Sequence, residues 1–126
     1  MANFAWVALG GALGACARYA VILLGASLAG SAFPFATLTV NVTGSLLMGA
    51  LLEFSLLRSA LSEPMRAFIA IGFLGSFTTF STFSADVWSL YERGRWATVI
   101  VYLSTSVILS IAALILGMAL IRRVLP

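Results

Sequence analysis

The sequence predicts an all-α membrane protein with four transmembrane helices in one domain, residues 1–126. Of its 126 residues, 62% are hydrophobic and only 9% are charged, whereas roughly 25% of the residues in an ordinary soluble domain are charged. A soluble chain of this length cannot bury so much apolar surface, so the composition excludes a soluble enzyme. A helix needs about 20 apolar residues to cross the hydrocarbon core of a bilayer, and the chain contains four such runs.

The few titratable residues exclude several kinds of site. The sequence has no histidine and one cysteine, Cys16, so it cannot form a disulfide within the chain, and we expect no His/Cys metal site. Its four acidic residues leave little capacity for proton-transfer catalysis. A net charge of +3 is spread too thinly for a nucleic-acid interface. We therefore expect a protein that moves or holds something inside a membrane.

The first predicted span covers residues 4–24 and contains one charged residue, Arg18. Gly10 and Gly14 form a Gly-x-x-x-Gly spacing, which permits close contact with another helix. An arginine at this depth is unfavourable unless it reaches the interface or an aqueous vestibule. Arg18 is therefore either a vestibule residue that concentrates anions or an anchor that extends to the membrane surface.

Polar stripes run along the second and fourth predicted spans, residues 35–57 and 96–121. Each stripe consists of three side chains that lie four residues apart and therefore share one helical face. The second span carries Thr37, Asn41 and Ser45, and the fourth carries Tyr102, Ser106 and Ser110. Two such stripes would line a narrow hydrogen-bonding route through the membrane. The alternative is that the hydroxyls bond back to their own helices or join neighbouring helices.

The third predicted span, residues 66–91, contains a run at residues 72–84 in which phenylalanines alternate with Gly, Ser and Thr. Glycine, serine and threonine are poorer helix formers than alanine, so we expect the helix to break near Gly75 to Thr79. A break at membrane depth requires protein or a polar cavity to satisfy the freed backbone groups. The freed carbonyl oxygens would be hard ligands suited to a small cation.

Three phenylalanines of this run, Phe77, Phe80 and Phe83, recur at every third position. Phe80 and Phe83 are neighbours on one helical face. The edge of an aromatic ring is electropositive, so rings that present their edges would stabilise a small dehydrated anion without a fixed charge. Packing of the rings in the protein core is the alternative.

The arginines give a weak signal for orientation in the membrane. With four spans, both termini and the second connection lie on one side, which carries Arg58, Arg66, Arg122 and Arg123. The opposite side carries Arg93 and Arg95, together with Arg18 if that side chain extends to it. So small a bias would let the chain insert both ways, and inverted copies would then pair. A single orientation set by the basic C-terminus is the other possibility.

Three motifs in chain order, at residues 10–19, 37–44 and 72–84, make the whole chain similar to the Fluc family of bacterial fluoride channels, also called CrcB proteins. The third motif is the most specific. The resemblance implies four transmembrane helices per subunit with a broken third helix, assembled as an antiparallel, dual-topology homodimer in the cell inner membrane. It also implies two pores for passive fluoride export, a structural sodium ion that is not transported, and no nucleic-acid partner.

The resemblance also assigns roles to individual residues. The backbone carbonyls of Gly75 and Thr78 match the sodium ligands of the family. The positions that match the fluoride pore are Asn41, Phe80, Phe83, Ser81, Thr82, Tyr102, Ser106 and Ser110. Two positions depart from the frequent pattern, with Ser76 in place of a second glycine and Asp86 in place of a glutamate. The vestibule role of Asp86 is therefore left open.

Two other classes of membrane protein fit this length. A proton-coupled small multidrug transporter needs an acid inside the membrane. The first span instead contains Arg18 and no acid, and Glu53 lies near the end of the second span. A scaffold subunit without transport activity would explain the glycines, but it leaves the polar stripes and the Phe80–Phe83 pair without a function.

Overall fold

The computed structural model describes residues 2–29, 32–58 and 61–125, and every regular element within them is a helix. Helix α1 is Ala2–Ala29, α2 is Phe35–Arg58, α3 comprises residues 63–77 in three pieces, α4 is Phe80–Glu92, and α5 is Trp96–Val124. Four stretches are long and apolar enough to cross a membrane, and the third of them consists of α3 and α4 together. The prediction of an all-α membrane protein with four spans is confirmed.

The helix boundaries differ from the predicted ones mainly at the end of α1, which continues to Ala29 instead of ending at residue 24. Gly25, the first residue beyond the predicted span, continues the helix and is a packing position. A Cβ atom at Gly25 would lie 2.7 Å from the Cβ atom of Ala36 on α2. Helix α5 likewise passes the predicted end at residue 121. Residues 30–31 and 59–60 of the predicted connections, and the Arg58 side chain, lie outside the described residues.

The third crossing is interrupted at Thr78 and Thr79, within the range where we expected a break. Glu63–Arg66 is one α-helical turn, Ala67–Leu74 has wider π-helical hydrogen bonding, and Gly75–Phe77 returns to the α-helical form. Thr78 and Thr79 then have extended backbone, with ψ angles of 159° and 121°. π-Helical turns are rare and occur frequently at functional sites.

Small residues set the contact between α1 and α3. A methyl group on Gly10 would collide with the backbone of Phe68, and one on Gly14 would collide with the backbone of Phe73. Close backbone approach at small residues is the usual way in which membrane helices associate. The Gly-x-x-x-Gly spacing predicted from the sequence is therefore a packing motif for α3.

A second glycine contact joins α2 to α5, which pack against each other extensively. A methyl group on Gly49 would collide with the backbone of Leu114, and one on Gly117 would collide with the backbone of Leu46. From the contact of Gly49 with Leu114 to the hydrogen bond between Glu53 and Arg122, residue numbers increase along both helices, so α2 and α5 run parallel. The contact fixes the register between the two helices that carry the predicted polar stripes.

The interior of the helix bundle is small, and many of its large apolar side chains face outward. Phe83, Leu90, Val99 and Tyr102 form a buried cluster, with Phe33, Leu38 and Val87 packed against it. By contrast, Leu13, Ile108 and Leu116 are each more than half exposed. Extended apolar surface of this kind marks contact with lipid or another protein, in agreement with four membrane spans.

Candidate functional site

The break in the third crossing is held by Asn41 of α2. The Asn41 Nδ2 atom donates to the carbonyl oxygen of Thr79 at 3.0 Å, and its Oδ1 atom accepts from the Thr79 amide at 2.8 Å. Asn41 therefore satisfies both backbone groups of a residue that has left the helix. Thr79 is buried, and unpaired backbone groups at membrane depth are unfavourable. The two hydrogen bonds thus stabilise the extended conformation.

Thr79 also caps the first turn of α4. Its Oγ1 atom accepts from the Thr82 amide at 3.1 Å, which is the usual N-cap arrangement, and donates to Thr82 Oγ1 at 3.1 Å. The Ser81 hydroxyl oxygen lies 3.3 Å from the same Thr79 atom. Ser81 and Thr82, both predicted pore residues, therefore belong to a hydroxyl cluster beside the break.

The break affects the two carbonyls that the family resemblance matches to sodium ligands, those of Gly75 and Thr78. In a continuous helix, the carbonyl of Gly75 would accept from the amide of Thr79, and that of Thr78 from the amide of Thr82. Here the Thr79 amide donates to Asn41, and the Thr82 amide donates to the Thr79 hydroxyl. Gly75 itself is an exposed residue.

An open groove of about 340 Å³ lies between α2 and α5, with the break at its side; we call it the α2–α5 groove. Its polar lining consists of Asn41, Ser45, Thr78, Thr79, Ser106 and Ser110, and its apolar lining includes Phe80 and Phe83. The groove therefore brings together Asn41, Phe80, Phe83, Ser106 and Ser110, which were predicted to share one route. These residues come from three different helices.

The two phenyl rings have different environments. Phe83 is buried in the core, whereas Phe80 is 79% exposed in the subunit. Their ring centroids lie 5.5 Å apart with an interplanar angle of 48°, so the rings are tilted against each other and do not stack. Phe83 also packs against Tyr102, at a centroid distance of 5.2 Å. Core packing therefore accounts for part of the environment of Phe83 but not for the position of Phe80.

Ser106 contributes a buried hydroxyl to the groove. The residue is 6% exposed, and its Oγ atom has no hydrogen-bond partner in the described part of the chain. A buried polar group without a partner costs roughly 1–3 kcal/mol. Unsatisfied groups in native proteins frequently mark a place where an ion, a water molecule or a ligand binds.

A second cavity of about 310 Å³ lies at the end of the bundle where α1 gives way to α2. Its polar lining consists of Thr37, Thr82, Asp86, Ser89 and Arg93. Tyr102 lines neither this cavity nor the groove, because it is fully buried and donates its hydroxyl to Asp86 Oδ2 at 3.0 Å. The two predicted stripes are therefore divided, with Thr37 at the second cavity, Tyr102 in the core, and the remaining members on the groove.

Arg18 is half-buried on α1 and lines neither cavity. No hydrogen bond or ion pair joins it to another residue within the described ranges. The described contacts therefore do not decide between the two predicted roles of Arg18, a vestibule residue or an anchor at the membrane surface.

Comparison with known proteins places the chain in a family. A family model described as CrcB-like protein, Camphor Resistance (CrcB), matches residues 5–118. The chain belongs to the CrcB family. A relative from Agrobacterium fabrum, named fluoride-specific ion channel FluC, is 47% identical over 123 residues, or 98% of either chain. A relative from Nitrobacter hamburgensis, fluoride-specific ion channel FluC 2, is 41% identical over 121 residues, which cover 96% of this chain and 98% of the relative.

Membership of the CrcB family confirms the resemblance that the sequence motifs indicated. The family consists of ion channels and not of enzymes. Together with the four candidate spans, it makes this chain a multi-pass protein of the inner membrane. The roles of individual residues in the pore and at the sodium site stay predictions.

Sequence analysis missed the pairing of Glu53 with Arg122. The Arg122 Nε atom donates to Glu53 Oε1 at 2.7 Å, and the Glu53 side chain is 4% exposed, against 63% for Arg122. A signal was available, because four spans place the ends of α2 and α5 on the same side of the membrane. The pairing bears on the multidrug-transporter alternative, since Glu53 is already bound to a cation of the same chain.

Proposed function

We propose that this CrcB protein is a fluoride-selective ion channel that exports fluoride passively from the cytoplasm and so lowers its toxicity. The observation that carries the proposal is the α2–α5 groove, where an unpartnered buried hydroxyl, a side-chain amide and two phenyl rings meet beside a break in the third crossing. The relatives named fluoride-specific ion channels support the same activity.

The groove has the chemistry that a fluoride ion needs. Fluoride is small and strongly hydrated, so a selective route has to replace its water by several close hydrogen-bond donors. The hydroxyls of Ser106 and Ser110 are donors on the groove, and Asn41 offers the second hydrogen of its Nδ2 atom, because only one is used by Thr79. None of these groups carries a permanent charge, so the ion is able to leave as well as enter.

The phenyl rings add positive potential without adding a charge. Aromatic rings have electropositive edges, and we infer that Phe80 and Phe83 direct edges towards the ion. Their tilted arrangement, with centroids 5.5 Å apart, supports this inference because flat stacking would cover one ring by the other. Ser81 and Thr82, clustered at Thr79, would extend the hydroxyl path past the rings.

A second copy of the chain would complete the pore wall. In one subunit the groove is open and Phe80 is 79% exposed, so an ion there would face lipid. An inverted homodimer would cover both grooves and form two pores, and the weak arginine bias supports insertion in both orientations. Light scattering of the purified protein in detergent tests this assembly, and a monomeric mass would contradict it.

The residues at the break fit a structural sodium ion. Sodium prefers hard oxygen ligands, and the carbonyls of Gly75 and Thr78 have lost their helical partners to Asn41 and Thr79. When bound, the ion would be coordinated by these oxygens and would stabilise the proposed dimer. Exchange of sodium for N-methylglucamine should lower the thermal stability of the dimer, and unchanged stability would contradict a sodium site.

Passive flow is favoured over coupled transport by the positions of the acids. Glu53 is bound to Arg122, and Asp86 accepts from the Tyr102 hydroxyl, so both carboxylates already have a partner within the chain, and neither lines the α2–α5 groove. The inside-negative membrane potential then drives an anion outward. Arg18 is the candidate for a vestibule residue that attracts the anion to the route.

Growth of a fluoride-sensitive bacterium that lacks its own fluoride exporter tests the proposed function. Expression of the wild-type chain should restore growth in millimolar fluoride, whereas Phe80→Ile at the same membrane level should not. No rescue by wild-type protein present in the membrane would contradict the function. Equal rescue by Phe80→Ile would contradict the part assigned to the groove.

A further inference from the structure

A separate surface groove lies along the last turns of α5, and it shares no lining residue with the α2–α5 groove. It has a volume of about 460 Å³ and is lined by Ile115, Met118, Ala119, Arg122 and Arg123; we call it the C-terminal groove. Three of the five residues are apolar and two are arginines in the last turn of the helix. The groove therefore has an apolar floor within the membrane span and a cationic rim where the span ends.

Arg122 is held in place at this rim by Glu53. Its Nε atom donates to Glu53 Oε1 at 2.7 Å, and the carboxylate is almost fully buried while the arginine is 63% exposed. The terminal nitrogens of Arg122 and the whole guanidinium of Arg123 make no hydrogen bond or ion pair with other residues in the described part of the chain. The rim thus presents N–H donors from both arginines, and the ion pair with Glu53 fixes the orientation of those on Arg122.

The charge of the rim matches that of one phosphodiester. Glu53 offsets one of the two positive charges, so the cluster carries a net charge of one. Arg122 lies one turn after Met118 and Arg123 lies one turn after Ala119, so each guanidinium sits above an apolar position on the same helical face. An acyl chain on the floor and a phosphate at the rim would satisfy both parts of the groove.

We propose that the C-terminal groove binds an anionic phospholipid, with the phosphate at Arg122 and Arg123 and an acyl chain along Ile115 and Met118. A phospholipid is favoured over free phosphate because the floor is apolar and belongs to a membrane span. Basic residues at the ends of membrane helices attract anionic headgroups. The lipid would tie the end of α5 to α2 through the Arg122–Glu53 pair.

Native mass spectrometry of the detergent-solubilised protein tests the proposal, with dioleoyl phosphatidylglycerol and dioleoyl phosphatidylcholine added at equal concentration. The wild-type protein should retain phosphatidylglycerol preferentially. Arg123→Gln should weaken its retention about fivefold, the equivalent of about 1 kcal/mol for one basic residue at a membrane surface. The electroneutral double variant Glu53→Gln/Arg122→Gln should weaken it too, because the oriented guanidinium is lost.

The matched control is Glu63→Gln/Arg66→Gln, which removes an exposed ion pair of 3.9 Å on the same side of the membrane. This control should retain phosphatidylglycerol as the wild type does. Three results would each overturn the proposal. They are equal retention of phosphatidylglycerol by the wild type and Arg123→Gln, an equal loss of phosphatidylglycerol in the control, and displacement of the lipid by millimolar inorganic phosphate. The measurement uses no fluoride, so its result is independent of the proposed channel function.

Discussion

Asn41→Asp should block fluoride permeation while most of the fold is kept. The new carboxylate is able to accept from the Thr79 amide, as Asn41 Oδ1 does at 2.8 Å. It cannot donate to the Thr79 carbonyl, which Nδ2 reaches at 3.0 Å. One of two hydrogen bonds is lost and a buried carbonyl is left without its donor, so the free energy of unfolding should fall by roughly 1–3 kcal/mol.

The effect on permeation should be larger than the effect on stability. A fluoride ion about 4 Å from the carboxylate is destabilised by about 4 kcal/mol at an effective dielectric constant of about 20. This energy corresponds to about a thousandfold reduction in the occupancy of that position by fluoride. Flux through Asn41→Asp should therefore fall by at least about a hundredfold even when the protein remains folded.

The assay is fluoride efflux from proteoliposomes, recorded with a fluoride electrode, together with thermal unfolding of the same preparations. Thr43→Val is the matched control, because Thr43 is an exposed residue of α2 whose hydroxyl donates to its own helix, at the Thr39 carbonyl. The control should conduct as the wild type does. Undiminished flux through Asn41→Asp would place Asn41 outside the ion path and refute the reasoning.

Other substitutions test the rings, the helix contacts and the buried ion pair. Phe80→Ile should abolish most fluoride efflux with the dimer intact on a sizing column, and wild-type efflux would contradict the ring-edge mechanism. Gly49→Ala should lower the free energy of unfolding by about 3 kcal/mol because its methyl group meets the backbone of α5. Gly94 lies in open space at φ 68°, so Gly94→Ala should lower the free energy of unfolding by only about 1 kcal/mol. If thermal unfolding gave similar losses for Gly49→Ala and Gly94→Ala, the packing role of Gly49 would be contradicted. Arg122→Gln should lower the free energy of unfolding more than Glu53→Gln does, because only the first leaves a buried carboxylate unpaired. The reverse order in thermal unfolding would refute this account.

The four spans were predictable because the thickness of a bilayer sets the length of an apolar helix. The break was predictable in kind, since Gly, Ser and Thr cluster where a helix needs good formers. The predicted range, Gly75 to Thr79, contains the break, but the residues that leave the helix were not predictable within it: Gly75 stays helical and the extended backbone begins at Thr78. Asn41, a residue 38 positions away from Thr79, determines that position by binding the Thr79 backbone.

Periodicity placed each polar stripe on one face but did not predict what each member contacts. Tyr102 shares a face with Ser106 and Ser110, yet its long side chain carries the hydroxyl to Asp86 on α4. Thr37 lies one turn before Asn41, but the groove ends between them and Thr37 lines the second cavity. Membership of a face follows from the helical repeat, whereas these contacts depend on the neighbouring helix.

The contacts between α2 and α5 were the least predictable part of the fold. Gly49 and Gly117 are isolated glycines, and no spacing within either helix indicates that they face each other. The Glu53–Arg122 pair was accessible in principle, because both residues lie near helix ends on one side of the membrane. Its short distance depends on the same parallel register that the glycine contacts set.

The most direct test of the central claim is anion efflux from proteoliposomes loaded with either fluoride or chloride. Potassium and valinomycin clamp the membrane potential, so that the anion conductance limits the flux. The account predicts rapid loss of fluoride and retention of chloride. Equal loss of both anions would contradict the selectivity assigned to the hydroxyls, the amide and the ring edges, and retention of both by folded dimeric protein in sodium would contradict the channel itself.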